Sequence, residues 1–310
     1  MLNLQTVDIS HPDSSTATAV THAARNLGFI YISGHGVSRN LMRKVFALSA
    51  QLFKLQFTEK ERYKIGPENR GWSCIGSEKL DPETQKNADY KEAFNIAPTS
   101  NQALPQVLES SRAMLQEFEK ACQDLCRKLC RLLAVGLELE SDFFASKHDT
   151  SRLSGTIMRL LYYPEVKSTA MLKDEVRAGA HTDYGSLTLL FQMPGQSGLE
   201  VRDPDTDTFE AVPAPSPSDD EEELPILVNI ADQLTLWTAG LLKSTVHRVT
   251  GTYTGDRYSI AYFCHPDDDT DLRPVPQLLE GSNLILHESD QHTIKAGEHL
   301  RRRLAATYSY

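Results

Sequence analysis

The chain has 310 residues, of which 40% are hydrophobic and 24% charged. That is enough apolar side chain for a sizeable core, and it excludes a disordered, collagenous or low-complexity chain. With 32 Lys and Arg against 42 Asp and Glu, the formal charge is −10; the basic excess that phosphate contacts demand of a nucleic-acid binder is missing, so a small-molecule partner is expected.

No stretch approaches the roughly 20 apolar residues of a membrane helix. The opening MLNLQTVDISHPD has neither the basic head nor the apolar run of a secretory leader. Five cysteines, an odd number in a long chain, fit a reducing compartment better than a disulfide scaffold. No membrane and a cytosolic address are therefore expected.

In chain order, residues 14–27 read as a helix with Ser14 or Ser15 as cap and Gly28 as stop, followed by the β-like run GFIYISGHGV at 28–37. Residues 38–55 form a second helix by the 3.6-residue spacing of Leu41, Val45, Phe46, Leu48, Leu52 and Phe53. A short helix at 58–64 leads into an irregular stretch, 65–104, and then a long helical region, 104–148, interrupted near Gly136. There Cys122, Cys126 and Cys130 recur at i, i+4, i+8 among Leu125, Leu129 and Leu133, a stripe of buried structural thiols rather than a metal site.

From residue 155 the texture changes to short β-branched or aromatic runs between Gly, Pro and Asp: TIMRLLYYP, HTDYGSLTLLFQ, GLEVRD, LPILVNI, LTLWTA, VHRVT and RYSIAYFCHP. Such runs indicate a sandwich or barrel. The acidic run APSPSDDEEELP (214–225) reads as a solvated loop, because clustered like charges resist packing. The last segment, TIKAGEHLRRRLAATY, returns to helix with Leu300 and Leu304 on one side. One mixed α and β domain is expected over 1–310: an amino-terminal region (1–104), helical support (105–150), a β-core (151–275) and a C-terminal helical segment (276–310).

Within the β-core, His181 and Asp183 would share a face if their segment is a strand. His247, 66 residues downstream, supplies a further imidazole. Two His and one carboxylate with the opposite side open is the ligand set of non-haem Fe(II) oxygenases, although an H-x-D pair also occurs as a surface turn. Arg257 and Ser259, ten residues after His247, alternate onto one face, where a planar guanidinium and a hydroxyl suit a carboxylate. An Arg inside a β-core is costly unless an anion meets it. Arg159, Leu161 and Tyr163 alternate likewise and would border the same cavity.

The chain resembles the Fe(II)- and 2-oxoglutarate-dependent dioxygenases of the isopenicillin N synthase-like family over nearly its whole length. GFIYISGHGV is similar to the family's amino-terminal signature, RGWSCIGSEKLD and DYKEAFNIA to its middle region, and YYP, HTDYGSLTLLFQ, GLEV, LVNIADQLTLWTAG, STVHRV and RYSIAYFCHP to its catalytic half. The resemblance implies a double-stranded β-helix, or jelly roll, flanked by helices. It also implies His181, Asp183 and His247 as Fe(II) ligands, Arg257 and Ser259 on the distal carboxylate of 2-oxoglutarate with help from Tyr163, dioxygen as co-substrate, and ascorbate as a reductant.

Two positions depart from the family pattern: Leu161 stands where an Asn is common, and Ala231-Asp232 where Gly-Asp is usual. The chain looks most like fungal and bacterial members, thymine and pyrimidine hydroxylases included. Asn69, Arg159, Tyr184 and Phe263 match their substrate-pocket positions. The expected activity is oxidation, chiefly hydroxylation, of a C–H bond in a small polar or heterocyclic metabolite, with 2-oxoglutarate decarboxylated to succinate and CO2. Three alternatives stand beside it: a family oxidase whose Arg-x-Ser pair grips the substrate's own carboxylate, a non-catalytic ligand-binding barrel, and a zinc hydrolase using the same ligands.

Overall fold

The computed structural model describes residue 2 and residues 4–81, 85–97, 101–165, 176–215, 224–251, 255–279 and 294–307. Most of the acidic run lies outside the described residues. Strand β1 (Thr6–Asp8) leads to helix α1 (Ser14–Asn26) and strand β2 (Phe29–Ser33), then helices α2 (Arg39–Phe53) and α3 (Phe57–Lys60). The cap of α1 is Asp13 and not a serine: its carboxylate accepts from the Thr16 amide at 2.8 Å while the Thr16 hydroxyl oxygen accepts from the Asp13 amide at 3.3 Å. That reciprocal pair satisfies two amides that a helix start otherwise leaves open.

The irregular stretch expected over 65–104 contains two strands, β3 (Gly71–Ser73) and β4 (Glu92–Ile96). Both are too short for a period-2 pattern to stand out, and burial of Phe94 and Trp72 holds them in the sheet. Helix α4 (Gln106–Glu109) precedes α5 (Arg112–Gly136), which ends at the interruption expected near Gly136. A Cβ at Gly136 would lie 2.0 Å from Thr21 Oγ1, so the missing side chain is what lets α5 close on α1.

The β-core is built from β5 (Ile157–Tyr163), β6 (Val176–His181), β7 (Leu187–Gln192), β8 (Leu199–Arg202), β9 (Phe209–Ala211), β10 (Ile226–Ile230), β11 (His247–Thr250) and β12 (Arg257–Cys264). Between β10 and β11 the run LTLWTA, read as a strand, is helix α6 (Asp232–Trp237). Its buried Leu234 and Trp237 are three apart, a helical spacing that the leucine alternation masks. Helices α7 (Pro276–Leu279) and α8 (Ala296–Thr307) follow.

The major sheet runs β1-β2-β10-β7-β12-β5-β4-β3, and the minor sheet β6-β11-β8-β9. The chain crosses repeatedly between the two, so β5, β7, β10 and β12 face β6, β8 and β11 across one interior. This is the expected jelly roll. Its outer major face is covered by α1, α2 and α5, with Phe118, Cys122, Leu125, Cys126, Leu129 and Cys130 of α5 buried. Each fully buried large apolar side chain of this kind contributes about 1.5–3 kcal/mol. A second, smaller cluster, including Phe29, Leu161, Leu199, Val201, Val249 and Ala261, fills the space between the sheets.

Candidate active site

The two histidines sit where the minor sheet pairs its edge strand β6 with β11. His181 ends β6, His247 begins β11, and the two are direct cross-strand partners. Their ring centroids lie 4.4 Å apart. Each Nδ1 donates to a backbone carbonyl, His181 to Gly179 at 2.7 Å and His247 to Thr245 at 3.1 Å. A carbonyl only accepts, so each Nδ1 carries a proton, and each Nε2 is turned toward Asp183.

Asp183 does not share their strand, because β6 stops at His181. It lies in the turn 182–186, which is pinned from outside. The Asp232 amide donates to the Asp183 carbonyl at 2.9 Å, and the Ser186 amide to the Cys264 carbonyl at 2.8 Å. Gly185 is needed there, since a Cβ would approach the Cys264 carbonyl oxygen to 2.5 Å. Thr188 Oγ1 and Asn229 Nδ2 both donate to Asp183 Oδ2 at 2.7 Å. The other oxygen, Oδ1, is left 3.7 Å from both Nε2 atoms.

All three ligand atoms lie within 4.8 Å of one another. Burial would raise the Asp183 carboxyl, but the facing imidazoles and its two hydrogen bonds hold it below the usual range. Burial, reinforced by His247, pushes His181 down to about 4. The set is therefore one carboxylate and two imidazoles with their rear atoms already committed, which fits a divalent first-row metal.

Across the same cavity, Arg257 is 1% exposed. Its donors reach the Gln196 carbonyl (3.3 Å), Ser259 Oγ (3.4 Å) and Gln192 Oε1 (3.3 Å), and its guanidinium lies 4.9 Å from the Tyr163 ring centre. Burial lowers its pKa, with Tyr163 opposing. No carboxylate pairs with it among the described residues. Ser259, Tyr163 and Leu161 border the cavity beside it, as strand alternation requires.

Arg159 also lines the cavity, but its charge is balanced. It pairs with Glu78, which also binds Lys91 at 3.0 Å and accepts from Ser73 Oγ at 2.6 Å. Lys91 pairs in turn with Asp89, and Asp89 accepts from the Gly179 amide at 3.0 Å, beside the carbonyl that orients His181. Burial alone would raise the Glu78 carboxyl, yet Arg159 and Lys91 hold it far below the ordinary range.

The remaining expected pocket residues converge on the cavity. Asn69 adopts a left-handed backbone (φ 57) and accepts from Asn95 Nδ2 at 2.8 Å. Tyr184 bonds Thr307 Oγ1 at 2.5 Å, and Phe263 lies partly buried on the cavity wall. Helix α8 completes that wall with Leu300, Leu304 and Thr307, and Arg303 ties it to Thr182 at 3.0 Å and Asp232 at 3.3 Å. His265, pushed down to about 3 by burial, faces the same space. Asn229, Thr188, Glu78, Asp89 and His265 carry no signal of their own in the sequence, although all five stand in stretches that carry the family resemblance for other reasons.

Two family models match the chain: the non-haem dioxygenase in morphine synthesis N-terminal model over residues 3–117, and the 2OG-Fe(II) oxygenase superfamily model over 154–266. Proline hydroxylase buaE of Petromyces alliaceus is 32% identical, covering 92% of this chain and 91% of that protein. The chain belongs to the 2OG-Fe(II) oxygenase superfamily. Another relative of this oxygenase, homoarginine-6-hydroxylase 2-ODD-C23 of Glycine max, is 30% identical over 82% of the chain and 78% of its own length.

Among solved structures, a full-length Neurospora crassa protein in complex with alpha-KG and thymine superposes with a TM-score of 0.81 at 31% identity, covering 98% of this chain and 96% of that one. These matches, with the His-Asp-His cluster, make the protein an iron- and 2-oxoglutarate-dependent oxidoreductase that uses dioxygen, rather than an oxidase without the oxo acid, a zinc hydrolase or a non-catalytic barrel. Among the described residues no helix is long and apolar enough to cross a membrane.

Proposed function

We propose that His181, Asp183 and His247 hold the ferrous ion, that Arg257, Ser259 and Tyr163 seat the distal carboxylate of 2-oxoglutarate, and that Asn69, Arg159, Tyr184 and Phe263 contact the substrate, within a single catalytic unit spanning 1–310. The observation that carries this reading is the buried guanidinium of Arg257, which shares one cavity with the three ligands and meets no carboxylate among the described residues. Such a charge is tolerated when a ligand anion completes it.

When bound, iron with 2-oxoglutarate and dioxygen supplies the oxidising equivalent for C–H oxidation, with succinate and CO2 as the co-products. The chain's own residues do the rest. Asn229 and Thr188 fix which oxygen of Asp183 faces inward, and the Gly179 and Thr245 carbonyls fix the imidazole tautomers. Helix α8 and the Tyr184–Thr307 bond restrict water at the substrate end.

The substrate is proposed to be a small neutral heterocycle with an amide-like edge. Arg159 is already balanced by Glu78, so a carboxylate substrate would have to break a buried pair, whereas a neutral edge asks only for hydrogen bonds. Thymine, present in the Neurospora crassa complex, is a first member of that class to test. The experiment is a panel of nucleobases, L-proline and homoarginine, with succinate release measured in the presence of iron and ascorbate. Nucleobase-stimulated succinate supports the assignment; stimulation by the amino acids alone overturns the substrate class.

A further inference from the structure

Gln192 ends β7 directly opposite Ser259 of β12, while on the other side of Ser259 the partner is Leu161 of β5. The anion seat is therefore flanked by an amide on one strand and a hydrocarbon on the other, the latter at the position where the sequence lacks a commonly polar residue. Gln192 is buried, and its Oε1 accepts from Arg257 Nη2 at 3.3 Å.

The orientation of that amide follows from chemistry. A guanidinium only donates, so the carbonyl oxygen must face it. The amide lies near the Tyr31 hydroxyl, whose own proton goes to the Pro213 carbonyl at 2.6 Å, and its buried Nε2 has no hydrogen-bond partner among the described residues. Three acceptors around Arg257 among the described residues, a carbonyl, a hydroxyl and an amide, are neutral and their bonds are long, 3.3–3.4 Å, with the Tyr163 side chain as a further partner. They steer the group without cancelling its charge. A carboxylate in place of the amide would form an ion pair, and an aliphatic side chain would leave Nη2 without its acceptor.

We infer that Gln192 is a positioning residue for the co-substrate: a neutral acceptor that aims Arg257 at the distal carboxylate of 2-oxoglutarate while leaving the guanidinium charge for it. This rests on the seat proposed above for Arg257 and Ser259.

The test is an anaerobic titration of the iron-loaded full-length protein with 2-oxoglutarate, followed by the visible charge-transfer absorption of the complex. A parallel titration uses 2-oxobutyrate, which keeps the chelating end and lacks the distal carboxylate. Gln192→Glu, nearly isosteric, should raise the half-saturating 2-oxoglutarate by about tenfold or more, with 2-oxobutyrate unchanged within about twofold. Gln192→Leu should give a smaller rise with the same selectivity, and serves if the Glu variant fails to fold.

Wild-type titrations from both Gln192 variants, with Arg257→Leu losing 2-oxoglutarate, overturn the inference and leave the seat standing. A wild-type titration from Arg257→Leu overturns the seat itself. Equal weakening of both oxo acids in the Gln192 variants marks a general structural defect and also overturns the positioning role.

Discussion

Asn229 stands behind Asp183, its Nδ2 donating at 2.7 Å to the carboxylate oxygen that does not face the histidines. The bond orients the carboxylate and keeps it ionised, together with Thr188. Asn229→Leu should therefore weaken ferrous-ion affinity by about 10–100-fold, the usual cost of losing a partner behind a metal ligand. Calorimetric titration of the anaerobic protein checks this, and unchanged affinity would remove Asn229 from the site.

Arg257 presents the opposite trade. A buried cation without a carboxylate is a burden on the ligand-free fold. Arg257→Leu is expected to leave the thermal midpoint of the ligand-free protein unchanged or higher, while abolishing the stabilisation that added 2-oxoglutarate gives the wild type. A lower midpoint in the variant would show the guanidinium to be structural.

Glu78 joins Arg159 and Lys91. Glu78→Gln leaves two buried cations facing Asp89 alone, and removal of one partner from such a buried cluster typically costs about 3–5 kcal/mol. Denaturant unfolding should show a loss of that order. If the variant folds, its substrate preference should move toward anionic compounds, because the guanidinium at the cavity wall is no longer balanced.

The Tyr184–Thr307 bond links the turn after the first histidine to the last turn of α8. Thr307→Val keeps the shape and removes the hydroxyl. Its expected effect is a rise of a few fold in KM for the substrate, with the 2-oxoglutarate requirement unaltered, because Arg257 does not contact α8. Equal changes in both constants would show that α8 supports the whole cavity instead of its substrate end.

Glu119 on α5 is buried, its Oε1 lacks a hydrogen-bond partner, and burial pushes its carboxyl up to about 8. The folded chain thus holds a proton that the unfolded chain releases near pH 4.3. Its stabilising contribution is complete below that pH and is lost as pH rises through about 8. Glu119→Gln should remove this slope, so the midpoint of the wild type falls relative to the variant between pH 5 and 8. Parallel curves would show that Glu119 titrates normally.

The sequence is most informative where the backbone is regular. Arg257 with Ser259, and Arg159 with Leu161 and Tyr163, lie within uninterrupted strands, so alternation places them correctly on the interior face. The same rule places Asp183 for the wrong reason. Its strand ends at His181, and contacts from β7, β10 and α6 bring the carboxylate in. Asn229, Glu78 and Asp89 are silent in the sequence because a polar residue acquires its role only from what the fold sets against it. The helix over Asp232–Trp237 is hidden by its alternating leucines, and β3 and β4 by their brevity.

Four of the five thiols, Cys122, Cys126, Cys130 and Cys264, are sealed in the core, and burial raises the three on α5 well above the ordinary thiol range. A maleimide or iodoacetamide reagent therefore has one address on the folded chain, Cys74, which is partly exposed. Cys74 adjoins Ser73, whose hydroxyl holds Glu78 behind Arg159. A fluorophore attached there would report, without any engineered cysteine, on the wall against which the substrate is expected to rest.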